Sequence, residues 1–261
     1  MENCERDDHL VQSLDRGLEI LSILERKNSA SITELADELC INKSSASRLV
    51  DTLIQHDLVQ RDSVTKKYRL GFRILQLGEG VKRRLNVVAI ARPFLSRLCE
   101  QLNESVHLCT FNNNMVYVVD QVRSDKPYNL SATVGLIEPM HSSSVGKCIL
   151  AFKESEYTKK LLGNYEMKAF TPNTIVTKEA LLKNLAEIRE QGYALDSEEM
   201  AVGVWCIAAP IYNYKGNVQY SIGVSGPTTN IKPSNIDSYV QRLVAVAQEI
   251  SAELRYMPIH G

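Results

Sequence analysis

The spacing of apolar residues predicts three helices near the start of the chain. From Val11 to Leu24 the apolar positions recur every three or four residues, as they do along one face of a helix. Ser31 and Glu34 are spaced as a capping box and open a second helix, which ends before a break at residues 40–42. A further helix is predicted from about Lys43 to His56. This order is typical of a helix-turn-helix.

Two short β-type runs follow the third helix. Leu58–Arg61 and Tyr68–Leu70 flank a polar, basic turn, which predicts a hairpin and therefore the wing of a winged helix. Helical spacing then resumes from Phe72 to about Asn103, which predicts a linker helix followed by the first helix of a second domain. Gly78, Gly80 and Pro93 are expected to interrupt this stretch.

The second half of the chain is rich in β-type runs and predicts an α+β domain with a mostly antiparallel sheet. The predicted strands are 105–111, 115–122, 129–135, 204–213 and 218–227, and the predicted helices are 143–152, 154–162, 177–191 and 234–255. The predicted organisation is a flexible tail over 1–9, a winged helix-turn-helix over 10–71, a linker helix over 72–87 and a second domain over 88–261.

Composition narrows the class of protein. The chain is 44% hydrophobic and 23% charged, its first ten residues are acidic, and its longest apolar run, residues 201–211, is too short to span a bilayer. Six cysteines without a C-x-x-C pair favour reduced thiols. We therefore expect a cytoplasmic protein with no membrane association.

Charge is unevenly distributed, although the net charge is only −1. Residues 43–73 carry seven Lys and Arg against three Asp, and a helix with short polar side chains and a cation at its start suits the DNA major groove. The alternative is a three-helix unit used for protein contact. The candidate DNA-binding residues are Lys43, Ser44, Ser45, Ser47, Arg48, Lys66, Lys67 and Arg69.

Several longer stretches carry a resemblance to a known family. SLDRGLEILSIL, the SITELADEL…NKSSASRLVDTL pair and KYRLGFRILQLG occupy the N-terminal part, and PMHSSSVGKCILA (139–151), GYALDSEEMAVGVWCIAAPIYN (192–213) and SIGVSGP (221–227) the C-terminal part. In this order they resemble the IclR family of bacterial transcriptional regulators along nearly the whole chain. The resemblance implies a repressor that binds a palindromic double-stranded DNA operator as a dimer or tetramer.

The resemblance also implies a GAF-like effector domain that binds a small metabolite, often a carboxylate or an aromatic acid. Asp196, Cys206, Gly223 and Ser225 fall on positions that line the pocket in metabolite-binding members. A serine can occur where this chain has Gly223, so one ligand hydrogen bond is expected to be absent, which disfavours acids resembling glyoxylate or pyruvate. The effector half looks most similar to regulators of the 2-keto-3-deoxygluconate type, which suggests a sugar acid.

An anion site is predicted independently at the start of the helix near residue 143. Three consecutive serines, 142–144, precede that helix, where hydroxyls, free backbone amides and the positive end of the helix dipole converge. Ordinary helix capping is the alternative. Lys147 is not part of a phosphate-binding loop, because the upstream glycine of that motif is missing. The candidate residues here are Met140, Ser142, Ser143 and Gly146.

An enzyme or a metabolite-binding module without DNA binding remains the alternative function. Cys206, His141 and Asp196 form a nominal nucleophile, base and orienting group, but Cys206 lies in an apolar strand, where cysteines are usually buried and inert. The histidines and cysteines lack metal-ligand spacing, so we predict no metal, no cofactor and no catalytic residue. The favoured interpretation is a sensor that binds an organic acid between residues 142–146 and the three residues Asp196, Cys206 and Ser225.

Overall fold

A computed structural model describes residues 11–84, 86–126 and 132–255, so the predicted tail over 1–9 lies outside it. These residues form two compact units, divided after Arg84. The helices are α1 Gln12–Lys27, α2 Ile32–Glu38, α3 Lys43–Gln55, α4 Phe72–Arg84, α5 Asn86–Leu102, α6 Ser144–Ala151, α7 Ser155–Gly163, α8 Lys178–Gln191 and α9 Ile236–Arg255. The strands are β1 Val59–Arg61, β2 Tyr68–Leu70, β3 Ser105–Asn112, β4 Met115–Val122, β5 Ile137–Glu138, β6 Ala194–Ser197, β7 Val204–Tyr212 and β8 Val218–Pro227.

The first unit is a winged helix-turn-helix, as predicted. The Ser31 hydroxyl accepts from the Glu34 N–H while the Glu34 carboxylate accepts from the Ser31 N–H, so the capping box that fixes the start of α2 is complete. Strands β1 and β2 pair antiparallel and form the wing. The helices and the wing enclose a small apolar core centred on Ile20, Leu35 and Val50, each fully buried.

The predicted helix interruptions are wrong. Gly78 and Gly80 lie inside α4, and Pro93 lies inside α5. A glycine lowers helix stability by about 1 kcal/mol relative to alanine but does not break a helix by itself. Pro93 removes one backbone hydrogen bond. We attribute its tolerance to the burial of Ala91, Leu95 and other apolar residues of α5 in the core of the second unit.

The second unit is an α+β domain around one antiparallel sheet with strand order β5-β4-β3-β8-β7-β6. Apolar residues of α5 and α9 pack with one face of this sheet, and those of α6 and α8 pack with the other. Of the predicted strand 129–135, residues 129–131 lie outside the described part, and 132–135 form no strand; β5 comes later, at Ile137–Glu138. Strand β6 was not predicted.

Among the described residues, no helix is both long and apolar enough to cross a membrane.

Candidate functional site

The start of α3 presents polar and basic side chains to solvent. Asn42 caps the helix, because its Oδ1 accepts from the Ser45 N–H at 2.8 Å and from the Ser44 hydroxyl at 2.7 Å. Lys43, Ser44 and Arg48 are exposed, while Ser45 is half-buried. The Ser47 hydroxyl, also half-buried, lies 3.5 Å from Asp51. Apart from the capping bonds, this end of α3 is available to a partner.

The wing carries the remaining predicted DNA-binding residues. Asp62 accepts from the Val64 and Thr65 N–H groups and shapes the turn between the strands. Lys66, which has a positive φ of 58°, is exposed, and so is Arg69. Lys67 is half-buried and pairs with Glu34 at 3.6 Å, so part of its charge is already balanced within the protein.

In the second unit, strand register places four polar side chains side by side. Asp196 of β6 lies opposite Cys206 of β7, Cys206 opposite Ser225 of β8, and Ser225 opposite Ser105 of β3. Directly opposed residues share a face, so these four form a row across the sheet, on the side covered by α6. We call Asp196, Cys206, Ser225 and Ser105 the polar row. Asp196 and Ser105 are buried, whereas Cys206 and Ser225 remain partly accessible.

Gly223 occupies the next row on the same face, opposite His107 of β3. A Cβ at this position would lie 2.5 Å from His107 Nε2 and 2.7 Å from Val145 Cγ1. The imidazole and the valine therefore fill the space that a side chain at 223 would need. His107 was not among the predicted site residues.

The start of α6 packs more tightly than an open anion site would. The Ser143 hydroxyl donates to the Pro139 carbonyl and accepts from the Gly146 N–H, which is ordinary capping. The Ser142 hydroxyl donates to the sulfur of Met200 at 3.0 Å. A Cβ on Gly146 would lie 2.6 Å from the Pro139 carbonyl oxygen, so only glycine allows this approach. The serines and Gly146 are buried, as is Met140.

Buried charges lie beside the polar row. Lys147 of α6 forms an ion pair with Glu199. Burial raises the pKa of Asp196 to about 7, and the charge of Glu199 adds to the rise, while hydrogen bonds from the Glu199 and Met200 N–H groups oppose it. Burial also raises the pKa of Glu138, which the Ser143 hydroxyl partly offsets. The pairing of Lys147 with Glu199 was not predicted either.

His141 does not join Cys206 and Asp196 in a catalytic triad. Burial raises the pKa of the Cys206 thiol, and the charge of Asp196 raises it further, so the thiol stays protonated at neutral pH. Both ring nitrogens of His141 have partners elsewhere: the Tyr165 hydroxyl at 3.2 Å and the Lys168 carbonyl at 2.9 Å. Among the described residues, no cluster of His, Cys, Asp or Glu is suited to hold a metal ion.

Two surface clefts are lined by residues outside the polar row. One, of about 420 Å³, is lined by residues that include Phe111, Lys153 and Tyr157. The other, of about 480 Å³, also touches Tyr157 and is lined by Met140 and Tyr165. Of the predicted ligand-binding residues, Met140 alone lines either cleft.

Comparison with known proteins covers both units. The model of the IclR helix-turn-helix domain matches residues 13–63, and that of the bacterial transcriptional regulator IclR C-terminal region matches residues 80–252. The chain is 32% identical to the HTH-type transcriptional repressor AllR of Salmonella paratyphi A, over 95% of this chain and 92% of that protein.

Solved structures give the same result. The crystal structure of IclR from Thermotoga maritima matches with a TM-score of 0.80 at 29% identity, covering 95% of this chain and 100% of the other. An IclR homologue from Microbacterium hydrocarbonoxydans, crystallised with 4-hydroxybenzoate, shares the fold with a TM-score of 0.82 at 23% identity, covering 94% and 100%. The chain therefore belongs to the IclR family of bacterial transcriptional regulators and is a ligand-responsive DNA-binding regulator.

Proposed function

We propose that this chain is a cytoplasmic repressor, not an enzyme, that changes its hold on an operator when a small organic acid binds to its second unit. The observation that carries the proposal is the polar row: Asp196, Cys206, Ser225 and Ser105 lie in register across four strands, beneath the start of α6. Partial accessibility of Cys206 and Ser225 gives a ligand a way to reach the row. We assign its other wall to the predicted residues at the start of α6, which are Met140, Ser142, Ser143 and Gly146. In support, the Ser142 hydroxyl donates to the sulfur of Met200, whose backbone N–H donates to Asp196.

The row suits a carboxylate because at least two of its groups can donate hydrogen bonds. The Ser225 hydroxyl is one donor. Asp196 is the second, since a carboxyl with a pKa of about 7 takes up a proton readily and then donates. A bound anion would raise that pKa further, so binding should be accompanied by proton uptake. The acid in the Microbacterium homologue supports this chemical class, and sugar acids belong to the same class.

For operator binding, we propose contacts from α3 and the wing. Lys43, Ser44 and Arg48 are exposed at the start of α3, together with the half-buried Ser45 and Ser47. Short side chains and cations at a helix start suit base edges and phosphates. On the wing, the contacts are assigned to Lys66, Lys67 and Arg69.

Self-association is supported by exposed apolar side chains on α1 and α4. Leu14 and Leu18 on α1 are 63% and 56% exposed, and Phe72, Leu75 and Val81 on α4 are 77%, 62% and 62% exposed. Exposed apolar side chains grouped on two helices mark an interaction surface. A symmetric dimer would place two α3 helices about one DNA turn apart, roughly 34 Å, which requires a palindromic operator. The effector acts by binding one arrangement of the dimer more tightly than the other.

The first experiment selects bound sequences from a random duplex pool and then measures release in a gel shift. The acids tested are 4-hydroxybenzoate, 2-keto-3-deoxygluconate, pyruvate and glyoxylate. We expect at least one of the larger acids to release the duplex and to raise the melting temperature of the free protein. Ser225→Ala should lose both effects while retaining DNA binding, and Ser238→Ala, at an exposed position on α9, should retain all three.

The same incubations distinguish the alternatives. An acid recovered unchanged after long incubation supports a sensor, whereas turnover that Cys206→Ser abolishes would establish an enzyme. Affinity for random duplex should fall as salt rises, because phosphate contacts release counterions. A salt-independent affinity would contradict DNA binding by α3 and the wing.

A further inference from the structure

His107 occupies an unusual place in the second unit, which is the proposed effector unit. It lies in the middle of β3, directly opposite Gly223 and one row away from the polar row on the same face. Its ring atoms Nε2 and Cε1 stand 2.5 Å and 2.7 Å from where a Cβ on Gly223 would be. The imidazole thus takes the place of the side chain that position 223 lacks.

The His107 ring is also buried without full hydrogen bonding. The residue is 4% exposed, and its Nδ1 has no hydrogen-bond partner within the part of the chain that the structure describes. Burial lowers the pKa of His107 to about 4, so the imidazole is neutral at physiological pH. Most buried polar atoms in proteins are paired, because an unpaired one loses its hydration without compensation. An unpaired Nδ1 beside a ligand-binding row therefore suggests that the missing partner belongs to the ligand.

We propose that His107 determines effector specificity by hydrogen bonding through Nδ1 to a second polar oxygen of the acid, beyond its carboxylate. The inference rests on the proposed acid site at the polar row. Gly223 then serves to make room for His107. His107, on the neighbouring strand β3, thus supplies the ligand hydrogen bond that is expected to be missing at Gly223.

The geometry of the sheet indicates the size of the acid. Successive residues on one face of an antiparallel strand are about 7 Å apart, so the polar row and the row of His107 are separated by that distance along β8 and β3. A two-carbon acid is shorter than this spacing, whereas an acid with a four-carbon chain or an aromatic ring is long enough to touch both rows.

The neutral imidazole indicates the chemistry of the second group. One nitrogen of a neutral ring donates and the other accepts, so Nδ1 can pair with a hydroxyl, phenol or carbonyl oxygen. It does not supply the positive charge that a second carboxylate would need inside the protein. We therefore expect a hydroxy or keto monocarboxylic acid and not a dicarboxylic acid.

The test uses pairs of acids that differ by one oxygen: 4-hydroxybenzoate with benzoate, and 4-hydroxybutanoate with butanoate. Dissociation constants are measured by calorimetry on the full chain. The wild type should bind at least one oxygen-bearing acid about three to ten times more tightly than its partner, the range expected for one net hydrogen bond. His107→Leu has a similar size without polar atoms and should lose this preference. His107→Asn keeps a polar atom near the position of Nδ1 and should retain part of it.

The outcomes separate this inference from the proposed function. If the wild type and His107→Leu bind acids with the same preference for the extra oxygen, the role of His107 is refuted and the acid site stands. If the wild type binds acids without any such preference, His107 is again excluded. If none of these acids binds to the wild type, the acid site fails and the inference with it. Loss of preference in His107→Leu with unchanged affinity for benzoate or butanoate excludes a merely structural effect.

Discussion

Asp196→Asn should change how the stability of the effector unit depends on pH. The side chain is 1% exposed, and its folded-state pKa of about 7 stands well above 3.8, the ordinary value for an aspartate in water. Between these two values the folded state holds a proton that the unfolded state has released. The stabilisation is therefore complete below pH 3.8 and is lost as the pH rises through about 7. The asparagine side chain of the variant has no proton to exchange over this range.

The magnitude follows from proton linkage. With these two pKa values, the contribution of Asp196 to the free energy of unfolding is about 3 kcal/mol at pH 5 and close to zero at pH 8. Groups shared by both proteins cancel in the comparison unless they interact with residue 196, as Glu199 does. The unfolding free energy of the variant relative to wild type should therefore rise by about 2 to 3 kcal/mol from pH 5 to pH 8. The asparagine carbonyl can still accept from the Glu199 and Met200 N–H groups, which limits other losses.

Trp205 provides a local assay. It is the single tryptophan of the chain and lies in β7, next to Cys206, where it packs against the core on the α5 and α9 side. Its fluorescence during urea unfolding at pH 5, 6, 7 and 8 reports on this unit without interference from the winged helix. Asp125→Asn, at an exposed position of the same unit, serves as the matched control and should follow the wild type. A constant difference between Asp196→Asn and wild type across all four pH values would show that Asp196 does not take up a proton on folding in this range.

Three further predictions concern the operator contact and the packing of the effector site. Arg48→Ala should weaken binding to the selected operator by about 1–3 kcal/mol if the arginine contacts a base. An equal loss of affinity for random duplex would indicate a phosphate contact, and unchanged retention in a gel shift would exclude both a base contact and a phosphate contact. Gly223→Ala should destabilise the effector unit by about 1–3 kcal/mol through overlap with the His107 imidazole and with Val145. In a double-mutant cycle, His107→Ala should remove part of that loss, because Val145 Cγ1 still lies close to the new Cβ; additive effects would show that positions 107 and 223 do not collide. Lys147→Met should destabilise the effector unit by about 3–5 kcal/mol, because it leaves Glu199 charged and buried, and adding Glu199→Gln should recover much of the loss. If the urea midpoints of Lys147→Met, measured by Trp205 fluorescence, match those of the wild type, the ion pair contributes nothing to stability.

The sequence alone predicts the elements whose stability is local. The capping box at Ser31 and the amphipathic helices follow from spacings of three and four residues, which a helix uses for its own hydrogen bonds. The paired strands β7 and β8 are recognisable as apolar runs around the turn at Lys215. Strand β6 escapes prediction, because four residues with two half-buried side chains carry too little pattern.

The candidate site likewise has features that the sequence predicts and features that only the tertiary structure shows. The family resemblance predicts that Asp196, Cys206 and Ser225 line a pocket, and the comparisons confirm the family. The order of these residues across the sheet depends on register between strands far apart in the chain. His107 lies more than one hundred residues before Gly223, and only their pairing shows that one fills the space of the other. The sequence determined the helices, the wing and the family, because helix periodicity and hairpin turns are encoded by near neighbours. Tertiary structure decided which side chains share the buried face, because sheet pairing joins distant residues and no local pattern specifies their partners.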